Sequence, residues 1–291
     1  MHKIFEFAAA NRRIGVYVAV CFLALGGEGR AIDCTKAAAA AEKLICSDPD
    51  LRKADDRLNN AFDAAMKAAL DREAKDAILF SQRRWINARE SYFGQENQKS
   101  EAHALQARMT VAVNKRIARL SVRLTSGQEG LIERIQKYRA FLSKFSGGVF
   151  AGNTIQCRMA RSTDREVGVE YICEGATTYQ NGDRICQLRV DCGQGCIFEH
   201  DFRTVADVVG GEPRIRATCM TNHGNCPDDY DDGGPGWDWA WTEKESYPLP
   251  ERKENPAARK IDVDAMFVEG WISYCLTDPN FPRKENAKSP D

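Results

Sequence analysis

Apolar side chains recur at spacings of three, four and seven along the first half of this 291-residue chain. Leu51, Leu58, Phe62, Met66 and Leu70 make one such stripe, the signature of an amphipathic helix. That helix is expected to start after Ser47-Asp48-Pro49-Asp50, where Asp48 is suited to cap and Pro49 to the first turn. A short helix precedes it within 37–46. A third is expected over 73–95, with Ala77, Phe80, Trp85, Ala88 and Tyr92 inward. A fourth covers 101–124, with Met109, Val113, Ile117 and Leu120 inward, and Leu131, Ile135, Tyr138, Leu142 and Phe145 give one more.

Past Ser146-Gly147-Gly148 the texture changes to short runs in which polar and apolar residues alternate between turn signals, the pattern of strands. The runs are 167–173, 184–190, 196–203, 213–220, 237–243 and 265–275. Asn181-Gly182 is a strong hairpin signal, and Gly193-Gln194-Gly195 and Gly210-Gly211 mark further turns. The fold class expected is α+β: an N-terminal antiparallel helical bundle followed by a disulfide-rich, mostly antiparallel β domain. Its divisions are a signal peptide at 1–31, a helical domain at 32–125, a connecting helix and hinge at 126–147, a cysteine-rich β domain at 148–282, and a loose tail at 283–291.

Charge and cysteine content sharpen this picture. Lys plus Arg is 41 and Asp plus Glu is 42, which excludes a polycation that coats nucleic acid. The balance conceals a split: 21 basic against 15 acidic residues over 32–147, and 16 against 25 over 148–291. At the N-terminus, Lys3, Arg12 and Arg13 precede an apolar run over 14–25, and Gly29-Arg30-Ala31 offers the small residues of a cleavage site. That run is too short to cross a bilayer, which takes about 20 residues. The mature chain is expected to start near Ile32 and to be periplasmic or secreted, with no stable membrane span after cleavage. Of the 11 cysteines, removal of the signal takes Cys21, leaving Cys34 and Cys46 early and eight after residue 150. An even count in each half of an exported chain points to disulfides within each half.

The first half also resembles a known family. Asp33-Cys34, Lys36-Ala37 and Glu42-Lys43-Leu44-Ile45-Cys46-Ser47-Asp48-Pro49-Asp50-Leu51 resemble the opening of the LprI type of lysozyme inhibitor. Asp55 or Asp56 and Leu58 follow. Gln82, Trp85, Arg89 and Glu90 are similar to that family's Gln-x-x-Trp-x-x-x-Arg-acid signature, and Arg116-Ile117 with Leu120 to its closing motif. The resemblance covers 32–124 and implies an LprI-like helical domain with lysozyme as partner. One departure stands out. Members commonly carry a second cysteine pair, and here Tyr92 and Arg108 stand near those places.

Several residues carry candidate chemistry. Cys34 and Cys46 would stand about 18 Å apart if all the chain between them were helical, far beyond the reach of a disulfide. Either the helix begins late, near Ala38 or Ala39, with Cys34 folding back along it, or the two do not pair. The first is preferred, because an oxidising compartment offers neither another neighbouring partner. Trp85 and Arg89 share one helical face, either as a core ring with a stacked guanidinium or as a partner contact. Trp237, Trp239 and Trp241 would share one face of a strand, either as core or as a patch that binds a partner or glycan. The acidic run over 228–234 lacks the order of an EF-hand and reads as a solvated turn. Cys192, Cys196 and His200, and Cys219, His223 and Cys226, have zinc-like spacing, but export favours their oxidation. No metal or cofactor is expected. No nucleophile elbow, His-Glu-x-x-His or phosphate loop occurs, and an enzyme is not expected. The function expected is an exported bacterial envelope protein that binds, and inhibits, lysozyme. The alternative is an envelope module that binds peptidoglycan or other envelope proteins without inhibition.

Overall fold

The computed structural model describes residues 32–96, 101–121, 130–161, 168–192, 199–220, 226, 237 and 261–283. Helix α1 covers Ala40–Ser47 and α2 Pro49–Ala68. The late start of α1 has a local cause: Glu42 Oε2 accepts from the backbone N–H groups of Ala38 and Ala39 at 2.9 and 3.1 Å, closing the exposed end of the helix. Asp48 caps α2 by accepting from the N–H groups of Asp50 and Leu51, and Pro49 occupies the first turn. Helix α3 covers Arg72–Glu96, α4 Ala102–Leu120 and α5 Leu131–Leu142.

Five strands follow: β1 Gly152–Arg161, β2 Val169–Asn181, β3 Arg184–Cys192, β4 Glu199–Val209 and β5 Glu212–Met220. They form one antiparallel meander in sequence order. The two tightest connections follow the glycine signals. Gly182 at φ 59° turns β2 into β3, and Gly210 and Gly211 at φ 65° and 87° turn β4 into β5. Helix α6, Glu269–Thr277, then packs on β2 and β3. The α+β class, a helical bundle followed by a disulfide-bonded antiparallel sheet, is therefore the observed one.

Three expectations are corrected. Residues 265–275 were expected as a strand, yet 269–277 is helical. Trp271, Ile272, Cys275 and Leu276 are its buried residues, a spacing of one, four and five that fits a helical stripe rather than alternation. Strand β1 was not anticipated: it follows the glycine-rich joint, and only Ile155, Cys157 and Met159 mark its alternation. Leu70 and Phe80 were placed inward but are 75% and 51% exposed. Leu70 lies beyond the end of α2 at Ala69, and Phe80 lies on the solvent side of α3 with the Arg84 guanidinium 4.2 Å from its ring centroid.

The larger of two buried clusters among the described residues runs through helices and sheet alike. At its centre Tyr138 and Phe141 of α5 meet Tyr179 of β2 and Phe267 edge-on, with centroids 4.9–6.2 Å apart. The glycine-rich joint before β1 is fastened to the β2–β3 turn: Ser146 N–H donates to Asn181 Oδ1 at 3.2 Å, and Gly182 N–H donates to Ser146 Oγ at 3.0 Å. Arg184 of β3 donates to the carbonyls of Cys275, Asp278, Pro279 and Phe281, satisfying the end of α6 with a cation where the helix dipole favours one.

Four disulfides are described. Cys34–Cys46 has Cα atoms 5.5 Å apart, reached because Cys34 lies outside the late-starting α1. Cys157–Cys173 staples β1 to β2 at directly opposed positions. Cys186–Cys275 ties β3 to α6, and Cys219–Cys226 closes a short loop after β5. The signal segment, the acidic run 228–234, the turn at 193–195, the run 238–243 and the tail beyond Arg283 lie outside the described residues.

Candidate functional site

The residues of the Gln-x-x-Trp-x-x-x-Arg signature lie within the core. Trp85 is 1% exposed, Gln82 7%, Arg89 5% and Arg116 of the closing motif 2%. Arg89 sits 5.3 Å from the Trp85 ring centroid, donates through Nε and Nη2 to Glu90 Oε1, and faces Asp55 at 3.8 Å. Asp55 in turn accepts from the backbone N–H of Ile32 at 3.1 Å, which fixes the start of the described chain onto α2. A buried guanidinium thus has a carboxylate on each side, the arrangement that makes its burial tolerable. Arg108 pairs with Glu96 at 2.8 Å and so joins α4 to the end of α3.

Arg116 organises a second polar cluster. Its Nε donates to Gln82 Oε1 at 2.9 Å and its Nη2 to Ser81 Oγ at 3.0 Å. Ser81 passes the interaction on, donating to Asp264 Oδ1 at 2.9 Å. Arg84 makes a two-pronged contact with Asp262 at 2.8 Å and approaches Asp264 at 3.6 Å. Residues 261–265, all buried, therefore lie as a strap across α3 and α4. Arg119 and Arg134 hold the strap backbone by donating to the carbonyls of Val263 and Ala265. Burial pulls the Arg116 pKa down to about 10, an effect that Asp264 opposes. Burial first, and then the Asp264 charge, push the Tyr171 phenol upward; its hydroxyl points to Asp264 at 3.4 Å.

Beside this cluster opens a cavity of about 490 Å³ walled by α3, α4, α5 and the first two strands. Trp85, Lys115, Arg116, Arg119, Arg134 and Tyr171 contribute to its lining. Its volume falls in the range of small-molecule sites, and its wall is rich in cations. A second cavity, about 740 Å³, lies between α3, β1 and the strap around Phe80 and Arg84.

The remaining candidates divide. Trp237 is 7% exposed and packs against Trp271 and Phe281, so its ring is core. Trp239 and Trp241 lie outside the described residues. Cys219 and Cys226 are bonded to each other and Cys192 is disulfide-bonded, so none of the three offers a thiolate to a metal. The strap was not anticipated. Its signal was the run Ile261-Asp262-Val263-Asp264-Ala265, whose carboxylates stand among apolar residues, but no rule of local sequence says what they meet.

A helical bundle whose Trp–Arg signature is internal, tied by one bridge to its N-terminal segment, is the domain that the first half defines. Residues 34–127 match the sequence model of the family described as Lysozyme inhibitor LprI. The match spans α1 to α4 and contains Cys34, Cys46, Gln82, Trp85, Arg89 and Arg116, covering about a third of the chain. No curated protein and no solved structure matches the chain.

Proposed function

We propose that this chain is an exported envelope protein that binds lysozyme and inhibits it, acting as a binding protein rather than an enzyme. The observation that carries the reading is the match of residues 34–127 to the lysozyme-inhibitor family, with the signature residues assembled into a core. Disulfide bonding supports an oxidising compartment, as export past the signal segment would provide. Because Trp85 and Arg89 are internal, they act by shaping the bundle, and the surface that meets lysozyme is formed by other residues. Charge supports the encounter: animal lysozymes are strongly cationic, and the stretch 148–291 carries 25 acidic against 16 basic residues.

Steady-state assays of hen and human lysozyme with the purified mature protein, at low and moderate salt, test the proposal. Inhibition that weakens as salt rises is expected. Absence of both inhibition and binding at micromolar concentration defeats it. A second reading, an envelope module that binds glycan or other envelope proteins, draws on the extent of chain beyond residue 127 that the match leaves uncovered. Peptidoglycan pull-down that is abolished by Trp239→Ala in a folded protein would favour it.

A further inference from the structure

The cluster beneath the 490 Å³ cavity is not electrically closed. Among the described residues, three guanidinium groups (Arg84, Arg116 and Arg119) face two carboxylates, Asp262 and Asp264. Lys115 and Glu170, 3.2 Å apart at the rim, balance one another and do not alter the count. These five groups by themselves leave one positive charge over in a partly dry setting.

The hydrogen bonds agree with the charges. Arg116 spends two of its groups on neutral acceptors, Gln82 Oε1 and Ser81 Oγ, while its buried Nη1 has no acceptor among the described residues. Arg119 gives Nη2 to the Val263 carbonyl, and its buried Nε likewise has none. Orphaned guanidinium donors are expensive when water is excluded, and both side chains belong to the wall of the same cavity. A neutral occupant would leave the excess charge in place. An anion would cancel it and is the natural acceptor for such donors.

We propose that this cavity is a binding site for a small organic or inorganic anion bearing carboxylate or phosphate groups, with Arg116 and Arg119 as its charge partners and Lys115 at its mouth. The site is formed where α4 meets the strap and β2, so it requires both halves of the chain. It stands independently of the lysozyme reading: a protein that fails to inhibit lysozyme can still bind the anion, and the reverse.

Isothermal titration calorimetry on the oxidised, full-length mature protein tests the site with three probes: citrate, inorganic phosphate and uncharged N-acetylglucosamine. One equivalent of citrate or phosphate is expected to bind, more weakly at about 200 mM than at about 20 mM salt. Which of the two binds tighter distinguishes a carboxylate from a phosphate ligand. Arg119→Gln should weaken binding about tenfold or more, whereas Arg119→Lys, which keeps the charge, should retain most of it. Should Arg119→Gln fail to fold, Lys115→Gln at the half-exposed rim carries the test, with a loss of about threefold expected. No heat from either anion up to about 10 mM, where a site this charged should be filled, overturns the proposal. So does equal binding of N-acetylglucosamine, or unchanged affinity in the folded glutamine variant.

Discussion

Ser81 donates its hydroxyl to Asp264 Oδ1 across 2.9 Å, joining two residues 183 positions apart. Through this bond and the two-pronged contact of Arg84 with Asp262, the segment after the sheet returns to the helices that begin the chain. The bundle is thus held by residues outside the stretch that matches the family, and their loss should be felt throughout.

Replacing Asp264 by Asn removes a carboxylate with no side-chain exposure that faces Arg84, Arg116 and Arg119. The expected loss of stability is about 3 kcal/mol, the scale on which one partner of a buried ion pair is missed. Ser81→Ala should cost about 1–2 kcal/mol, since it strands Arg116 Nη2. In a double-mutant cycle read by urea unfolding, the pair should couple by about 1 kcal/mol. Additive costs would show that the bond contributes nothing.

The disulfides should rank by the length of chain they close. Cys34–Cys46 spans 12 residues and Cys186–Cys275 spans 89. Chain-entropy reasoning assigns about 3 kcal/mol to the first and about 4.5 kcal/mol to the second. Paired Cys→Ala variants, compared by thermal unfolding of the oxidised proteins, should therefore fall in that order.

Two glycines should respond to alanine with opposite signs. Gly175 lies at φ +130°, and a Cβ there would sit 2.0 Å from the Thr154 carbonyl oxygen of the neighbouring strand. Gly175→Ala is expected to cost more than about 2 kcal/mol through backbone strain and a forced shift of β1. Gly94, in α3 with open space around it, should gain about 0.5–1 kcal/mol on the same change. Denaturant midpoints of the two variants would reveal the contrast.

Alkaline pH should unfold the protein through its core phenols. Burial pushes the Tyr138 pKa up to about 12 and that of Tyr179 well above 10. A phenol with a raised pKa holds its proton more tightly when folded than when unfolded. Its stabilising contribution is complete below pH 10, the unfolded value, and is lost as pH rises toward 12. Unfolding free energy should fall across that window, and phenolate absorbance should show a late-titrating class of tyrosines. Replacing Tyr138 by Phe should shallow the decline.

Local pattern carried the bundle well, because helix stripes and caps are written within a few turns of chain. Asp48 before Pro49, and the spacing of Leu51, Leu58 and Phe62, determine α2 with no help from distant residues. The glycines at 182 and 210–211 did the same for two hairpins, since a positive φ is a property of a single residue. Strand β1 carries only three apolar positions in alternation with polar ones, Ile155, Cys157 and Met159, a short signal beside the longer strands that follow. Helix α6 was mistaken for a strand because a short apolar run fits either period.

The sequence by itself determined that a helical bundle precedes a disulfide-bonded antiparallel sheet, and which residues bear the Trp–Arg signature. Tertiary structure alone decided what those residues do. Arg116 and Ser81 are one polar pair among many until Asp262 and Asp264 arrive from the far end of the chain. Whether Trp85 is core or contact depends on which surfaces are brought against it. Burial and charge balance are sums over neighbours drawn from the whole fold, whereas periodicity and capping are sums over neighbours in sequence.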